Sequence, residues 1–180
     1  MLDRGRIEEL FRLLNDRLRT EGVVGEVYLV GGAVMCLAFS ARPSTADLDA
    51  VFAPAVTVRR AARAVAADAG VDEGWLNDAA KGYLSDRGEF TPWLELEHLK
   101  VYVPVPEYLL AMKCLAFRLG PEFHDEDDVR YLLRYLNLER AKDALAIVER
   151  YYPAERIPVK TRLALEEMLR SKKSRGRRRK

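Results

Sequence analysis

A pair of glycines between an apolar strand and a helix is the feature that most constrains how this chain folds. Gly31 and Gly32 directly follow the apolar run Val27–Val30, and a helix is predicted over Ala33–Phe39. Glycine at such a turn lets phosphate oxygens approach bare backbone N–H groups and the positive end of the helix dipole. The sequence therefore predicts a strand, a phosphate-accepting turn and a helix in this order.

Two aspartates begin the next apolar run. Asp47 and Asp49 follow a polar turn that contains Arg42 and Thr45, and they precede the apolar residues 50–52. Side chains at i and i+2 of a strand point to the same face, so the two carboxylates are expected to share one divalent cation or to bridge two. The apolar run predicts a strand buried on both faces; the alternative is a pair of surface aspartates on an edge strand.

Two further polar groups lie in predicted helices. Lys113 stands between Met112 and Cys114 in a mostly apolar stretch, where a lysine either extends its ammonium group to solvent or reaches a polar pocket. Asp125 and Asp128 head the next helix and share one of its faces. Acidic residues suit that end of a helix, and simple N-capping also accounts for Asp125.

Together these residues resemble a known family. The order Gly31-Gly32 … Arg42-x-x-Thr45-x-Asp47-Leu48-Asp49 is similar to the signature of the DNA-polymerase-beta-type nucleotidyltransferase superfamily. The pattern of Lys113 with Asp125 and Asp128 resembles, more narrowly, the AbiEii-type and MenT-type bacterial nucleotidyltransferase toxins. The matches run from about residue 27 to residue 133. Many superfamily members carry Gly-Ser where this chain has Gly32-Ala33, so phosphate binding would depend on backbone groups and basic side chains.

The resemblance implies a reaction and a set of roles. A metal-dependent enzyme would transfer a nucleoside monophosphate from a nucleoside triphosphate to an acceptor hydroxyl, with two Mg²⁺ ions or with Mn²⁺ as an alternative. Asp47 and Asp49 would bind metal, together with a third carboxylate for which Glu95 and Glu97 are candidates and Glu97 is selected. The other residues assigned by resemblance are, for catalysis, Lys113, Asp125 and Asp128, and, for nucleotide binding, Gly31, Gly32, Arg42, Thr45, Asn77, Asp78 and Lys81.

The acceptor implied by the resemblance is RNA, with the 3′ end of tRNA as the first choice. The protein would then be the toxin of a toxin–antitoxin pair, with a cognate antitoxin protein as partner. One alternative is nucleotide transfer to a protein or to a small molecule. Another is a non-catalytic nucleotidyltransferase fold that acts as an antitoxin or binding module.

Composition and charge set the domain organisation. For 180 residues, about half of them apolar, we predict an α+β fold: a small mixed sheet flanked by helices over residues 1–104, and a C-terminal helical region over 105–170. Seven of the last ten residues are Lys or Arg, so the net charge of +2 leaves −5 on residues 1–170. This basic tail, 171–180, is predicted to be disordered and to contact nucleic acid or simply to aid solubility. No long apolar run or signal peptide is recognised, which predicts a cytoplasmic protein without a membrane partner.

Overall fold

The chain forms two compact units of mixed α and β structure. The computed structural model describes residues 1–118, 120 and 124–176, apart from the side chains of residues 79, 80 and 171–176. Unit 1 comprises Met1–Gly82 and Phe90–Pro104, and unit 2 comprises Tyr83–Glu89 and the chain from Val105 onward. The change of unit after Pro104 coincides with the predicted boundary. The assignment of residues 83–89 to the helical unit is not anticipated by the sequence.

Unit 1 is built on a five-stranded mixed sheet with the strand order β5-β4-β2-β7-β6. Strand β2 is antiparallel to β4 and parallel to β7, while the outer strands β5 and β6 pair with β4 and β7 respectively. A separate antiparallel pair joins β1 to β3. The strands in chain order are β1 (Leu2–Asp3), β2 (Gly25–Leu29), β3 (Ser44–Thr45), β4 (Leu48–Ala53), β5 (Leu76–Asn77), β6 (Phe90–Glu95) and β7 (Leu99–Pro104).

Three helices complete unit 1: α1 (Arg4–Thr20), α2 (Gly31–Leu37) and α3 (Ala55–Ala69). Helix α1 begins where the carboxylate of Asp3 accepts a hydrogen bond from the N–H of Arg6 at 2.8 Å. Apolar residues with helical spacing predict this helix from the sequence. The prediction is confirmed, because every residue of the stripe is fully buried: Ile7, Leu10, Phe11, Leu14 and Leu18. Helix α3 ends at the left-handed Gly70, as predicted.

The sheet of unit 1 has one buried face and one partly open face. Along β4, Leu48, Ala50 and Phe52 are buried, whereas Asp49 and Val51 are only half-buried. The prediction that this strand is buried on both faces is therefore wrong. Alternation of this kind is typical of a sheet that packs on a core through one face only.

Among its described residues, unit 2 contains four α-helices: α4 (Pro106–Leu115), α5 (Asp125–Tyr135), α6 (Ala141–Tyr151) and α7 (Val159–Gly176). Helix α4 ends at Leu115, although Gly120-Pro121 suggested an end near residue 119; residues 119 and 121–123 lie outside the described part. Helix α7 extends to Gly176, into the segment from residue 171 for which disorder is predicted. Arg177–Lys180 lie outside the described residues. No helix in the described part is long and apolar enough to cross a membrane.

The segment Tyr83–Glu89 belongs to unit 2 because tyrosines of the helices hold it. The Tyr108 hydroxyl accepts a hydrogen bond from the N–H of Ser85 at 2.8 Å, and the Tyr152 hydroxyl donates to the carbonyl of Tyr83. A Cβ atom at Gly88 would lie 2.6 Å from the Tyr108 ring, so the backbone packs directly on that ring. These contacts join residues far apart in sequence, which explains why no local pattern predicts them.

Candidate functional site

The glycine turn and the aspartate strand meet at one corner of the sheet in unit 1. The N–H of Val30 donates to the carbonyl of Asp49 at 2.9 Å, which places the end of β2 beside the start of β4. Gly31 has φ +69°, and a Cβ atom built on it would lie 2.9 Å from Oδ2 of Asp49. The carboxylate of Asp49 therefore lies directly against the Gly31 backbone. Both the backbone conformation and this close approach require glycine at position 31.

Asp47 is held at the same corner through its backbone and its side chain. The Thr45 hydroxyl donates to the carbonyl of Asp47 at 3.0 Å, and Nδ2 of Asn77 lies 3.4 Å from Oδ2 of Asp47. Asn77 is also the register partner of Asp49 across β4 and β5. Asp47 is exposed and Asp49 is half-buried. Residues predicted from separate motifs thus lie together at the corner of the sheet.

The second glycine lies beside a basic side chain. A Cβ atom at Gly32 would lie 3.3 Å from Nη1 of Arg42 and 3.6 Å from Oγ1 of Thr45. The turn that carries Arg42 and Thr45 is anchored by strand β3, whose Thr45 pairs with Leu2. An anion at this turn would meet a guanidinium group and a hydroxyl next to the glycine backbone. Helix α2 begins at Gly31 itself rather than at Ala33 as predicted.

The donor set of this corner fits Mg²⁺ that is shared with a substrate. Asp47 and Asp49 provide carboxylate oxygens, the hard ligands that Mg²⁺ prefers. Mg²⁺ is usually bound through one or two carboxylates, with waters and substrate phosphates in its other positions. Within the described residues, no group of three or more His, Cys, Asp or Glu side chains is arranged to hold a metal ion. An ion held by these two carboxylates would need further ligands, such as waters or phosphate oxygens.

Glu97 does not lie at this corner, which corrects its selection as the third metal ligand. Glu95 pairs with Lys100 at the start of β7, and the same end of the sheet holds Ala53 at the end of β4. Asp49 is near the start of β4, so about 13 Å of strand separates the two ends. Glu97 lies in the turn beyond Glu95, and its side chain is 77% exposed. The alternation of Glu95 and Glu97 with leucines predicts the face of the sheet on which these glutamates lie. It does not predict the end of the sheet at which they lie.

Asp78 and Lys81 form an ion-pair cluster with a residue that the sequence did not single out. The carboxylate of Asp78 accepts from Lys81 and from Arg59, the latter at 2.6 Å. Hydrogen bonds from Lys81 and then Arg59 lower the pKa of Asp78. Arg59 also lies over the Phe52 ring, with 5.5 Å between the guanidinium carbon and the ring centroid. No sequence signal distinguishes Arg59 from the other arginines of α3, since its role depends on tertiary contacts.

In unit 2, Lys113 lies between Asp125 and Asp128, the two aspartates that the family resemblance groups with it. Its Nζ atom is 2.7 Å from Oδ2 of Asp128 and 3.4 Å from Oδ1 of Asp125. The three side chains are almost completely buried, at 10%, 3% and 5% exposure respectively. Arg118 adds a 2.9 Å ion pair to Asp125. We call these four residues the helical ion network; formally, its two positive and two negative charges balance.

The electrostatics of this network stabilise the ionised form of Asp125. Burial raises the pKa of Asp125, but the hydrogen bond from Arg118 and the charge of Lys113 outweigh it, so that the pKa is lowered. Asp125 begins α5 without capping it through its side chain, since His124 occupies the cap position. The network therefore joins the start of α5 to α4, and this is its evident structural consequence.

The partly open face of the sheet carries an aromatic cluster that was not predicted from the sequence. The rings of Tyr28 and Tyr102 are stacked with 4.8 Å between centroids and 11° between planes, and Phe90 meets Tyr28 edge-on at 5.2 Å. The Tyr28 hydroxyl donates to Glu26 at 2.9 Å. Burial, and then the interactions with Glu26, raise the pKa of Tyr28 to about 12. Each of the three strands contributes one of these aromatic residues, and only the register of the sheet brings them together.

Comparison of the chain with models of protein families, with curated proteins and with solved structures finds no match.

Proposed function

We propose that this protein is a metal-dependent nucleotidyltransferase with a sheet of the DNA-polymerase-beta type, similar to the AbiEii-type and MenT-type toxins. The observation that supports this most is the contact between Gly31 and the Asp49 carboxylate, with Arg42 beside Gly32. It joins a backbone turn, a guanidinium and two carboxylates at one corner. Those are the groups that binding of a metal-complexed triphosphate requires.

In the proposed reaction, an acceptor hydroxyl attacks the α-phosphorus of a nucleoside triphosphate. The new P–O bond forms as the bond to the bridging oxygen breaks, pyrophosphate leaves, and the hydroxyl proton passes to solvent. Asp47 and Asp49 would hold Mg²⁺, which when bound neutralises phosphate charge and favours ionisation of the hydroxyl. Arg42 and the backbone at Gly32 orient phosphate oxygens. Asn77 keeps Asp47 in position through its side-chain amide.

The proposed acceptor is RNA, with the 3′ end of tRNA as the first candidate, and the proposed role is that of a toxin controlled by an antitoxin protein. The basic C-terminal residues support a nucleic-acid partner, because clustered Lys and Arg side chains neutralise backbone phosphates. In the helical ion network, Lys113, Asp125 and Asp128 are proposed as positioning residues that hold α4 against α5. Asp78 and Lys81 are proposed to contact the nucleoside, with Arg59 fixing Asp78.

Metal-dependent labelling tests the proposal. Purified protein is incubated with Mg²⁺, total cellular RNA and each α-labelled nucleoside triphosphate in turn. We expect label in a tRNA-sized band, and a loss of at least a hundredfold in Asp47→Asn and Asp49→Asn, since an ion at the transition state is worth several kcal/mol. Asp16→Asn, at an exposed aspartate of α1, is the matched control and should retain full activity. Equal labelling by all variants would exclude the aspartate pair from the reaction.

The remaining candidates are separated by the same assay. Label on protein instead of RNA would indicate protein modification, and label on neither would favour a small-molecule acceptor or a non-catalytic module. One observation favours the non-catalytic module: Glu97 does not supply a third carboxylate to the corner. Binding of a nucleotide without any transfer, in the presence of every candidate acceptor, would identify that function.

A further inference from the structure

We propose that the aromatic cluster on the open face of the sheet binds a nucleobase of the substrate. This inference rests on the proposed function and extends it, because it assigns a base site to residues outside the nucleotidyltransferase motifs. The sheet register aligns four side chains across the strands, which we call the aromatic row. In spatial order these are Val51 of β4, Tyr28 of β2, Tyr102 of β7 and Pro92 of β6.

The two neighbours of Tyr28 in the aromatic row differ in size. Tyr102 stacks on one face of Tyr28, at 4.8 Å and 11°. On the other side the cross-strand neighbour of Tyr28 is Val51, whose side chain is much shorter than an aromatic ring. Tyr28, Tyr102 and Val51 are half-buried, so these side chains retain contact with solvent. A flat ring placed above Val51 would continue the stack, which is how aromatic side chains bind bases without sequence selectivity.

The row lies at the distance from the aspartates that a nucleotide spans. Tyr28 is opposite Val51, and Asp49 is two residues before Val51 on the same face. Diagonal neighbours of this kind are about 7–8 Å apart. In a nucleotide the ribose separates the base from its phosphate by a comparable length. Phosphates at the corner of Asp49 and Gly31 would therefore bring the base of the same nucleotide to Tyr28.

The ring of Tyr28 is fixed in orientation before any ligand binds. Its hydroxyl donates to Glu26 at 2.9 Å, and Phe90 contacts its edge at 5.2 Å. A ring that is already held loses little freedom when a base stacks on it, and this favours binding. The ligand class is thus a nucleobase, either of the nucleoside triphosphate or of the terminal nucleotide of an RNA acceptor. The short distance to Asp49 favours the triphosphate.

Equilibrium binding in the presence of Mg²⁺ tests this assignment without reference to activity. ATP, the three other nucleoside triphosphates, inorganic tripolyphosphate and a single-stranded RNA hexamer are titrated into the full chain. For Tyr28→Leu we expect ATP binding weakened about tenfold or more, in line with the measured worth of base stacking. Binding of tripolyphosphate should not change. Tyr28→Phe keeps the ring but loses the bond to Glu26, so it should weaken ATP binding less than Tyr28→Leu does. Tyr135→Leu is the matched control at an exposed tyrosine of α5 and should bind ATP like the wild type.

Each outcome discriminates. Unchanged affinity for both ATP and the RNA hexamer in a folded Tyr28→Leu variant overturns the base site while leaving the proposed function intact. Failure of the wild-type protein to bind either ATP or tripolyphosphate overturns both. Loss of hexamer binding alone keeps the base site and assigns it to the acceptor.

Photo-crosslinking of 8-azido-ATP to the wild-type protein provides a measurement that needs no variant. We expect the adduct at Tyr28 or Tyr102, within the tryptic peptides 20–59 and 101–113 respectively, because trypsin does not cleave the bond between Arg42 and Pro43. Adducts confined to other peptides overturn the base site.

Discussion

Each of the two units contains a pair of aspartates, and the two pairs have different surroundings. Asp125 and Asp128 are buried at 4% and 3% exposure and are ion-paired with Lys113. At the corner of the sheet, Asp47 is exposed, and Asp49 is half-buried against the backbone of Gly31. Carboxylates that balance a buried cation stabilise the folded state through that ion pair. Carboxylates at an exposed corner, in contrast, remain accessible to an ion. The resemblance gave catalytic roles to both clusters. The geometry distinguishes them, because only the carboxylates at the corner of the sheet are accessible to an ion.

The largest effect on stability is expected at the centre of the helical ion network. Lys113→Met removes the buried cation and leaves two buried aspartates without it, a change that costs about 3–5 kcal/mol in buried ion pairs. We expect a loss of this size in the free energy of unfolding, measured with chemical denaturant. Lys142→Met, at an exposed lysine of α6, is the control and should change it by less than about 0.5 kcal/mol.

The opposite result would change the role of the network. If Lys113→Met unfolds with the wild-type free energy yet loses nucleotide transfer, Lys113 acts on the substrate. The distinction between a structural and a catalytic cluster would then fail.

The sequence predicts best where local pattern and burial agree. The stripe of α1 and the turn at Gly31 follow from periodicity, glycine and short-range order. Sequence also placed Lys113 with Asp125 and Asp128 through a motif. In each case the deciding contacts lie within an element or between neighbours in the chain.

The failures have a different physical origin, because they depend on contacts between distant elements. Glu97 was assigned because the resemblance implies a third carboxylate from a later strand, but its position depends on the hairpin register of β6 with β7, which contains an irregularity between Pro92 and Leu94. Val51 looked buried because an apolar run does not reveal that only one face of the sheet is covered. Arg59 differs from the other arginines of α3 through its tertiary ion pair with Asp78, and no local sequence pattern in α3 predicts that pair.

Gly31→Ala tests whether the corner of the sheet requires its close packing. Any side chain there is strained at φ +69°, by about 1–2 kcal/mol, and its Cβ would also displace the Asp49 carboxylate. We expect nucleotide transfer to fall by at least about tenfold, since that shift equals roughly 1.4 kcal/mol in the barrier. Gly70→Ala is the control, because φ is +63° and nothing lies within 4 Å of its Cβ. It should show similar destabilisation with full activity; equal activity of both variants would show that the position of Asp49 is not critical.

A smaller effect concerns the pH dependence of the helical ion network. The ion pairs lower the pKa of Asp125 in the folded state, so its stabilisation is fully present above the unfolded value of about 3.9. That stabilisation is lost as the pH falls through the lower folded-state pKa, because the unfolded chain binds the proton first. We expect the free energy of unfolding of Asp125→Asn to depend less steeply on pH below 4 than that of the wild type. Parallel profiles would show that Asp125 is not stabilised in its ionised form.

The smallest effect is expected at Glu97, which sequence and structure assign to different places. Its side chain is 77% exposed and lies at the end of the sheet remote from Asp49. We therefore expect Glu97→Gln to leave both transfer activity and the Mg²⁺ dependence of nucleotide binding unchanged, and to alter stability by less than about 0.5 kcal/mol. Measuring Mg²⁺ titrations of this variant beside Asp49→Asn tests the point directly. A raised Mg²⁺ requirement in Glu97→Gln would mean that the hairpin of β6 and β7 approaches the corner in the active protein, and the exposed corner would then hold three carboxylates instead of two.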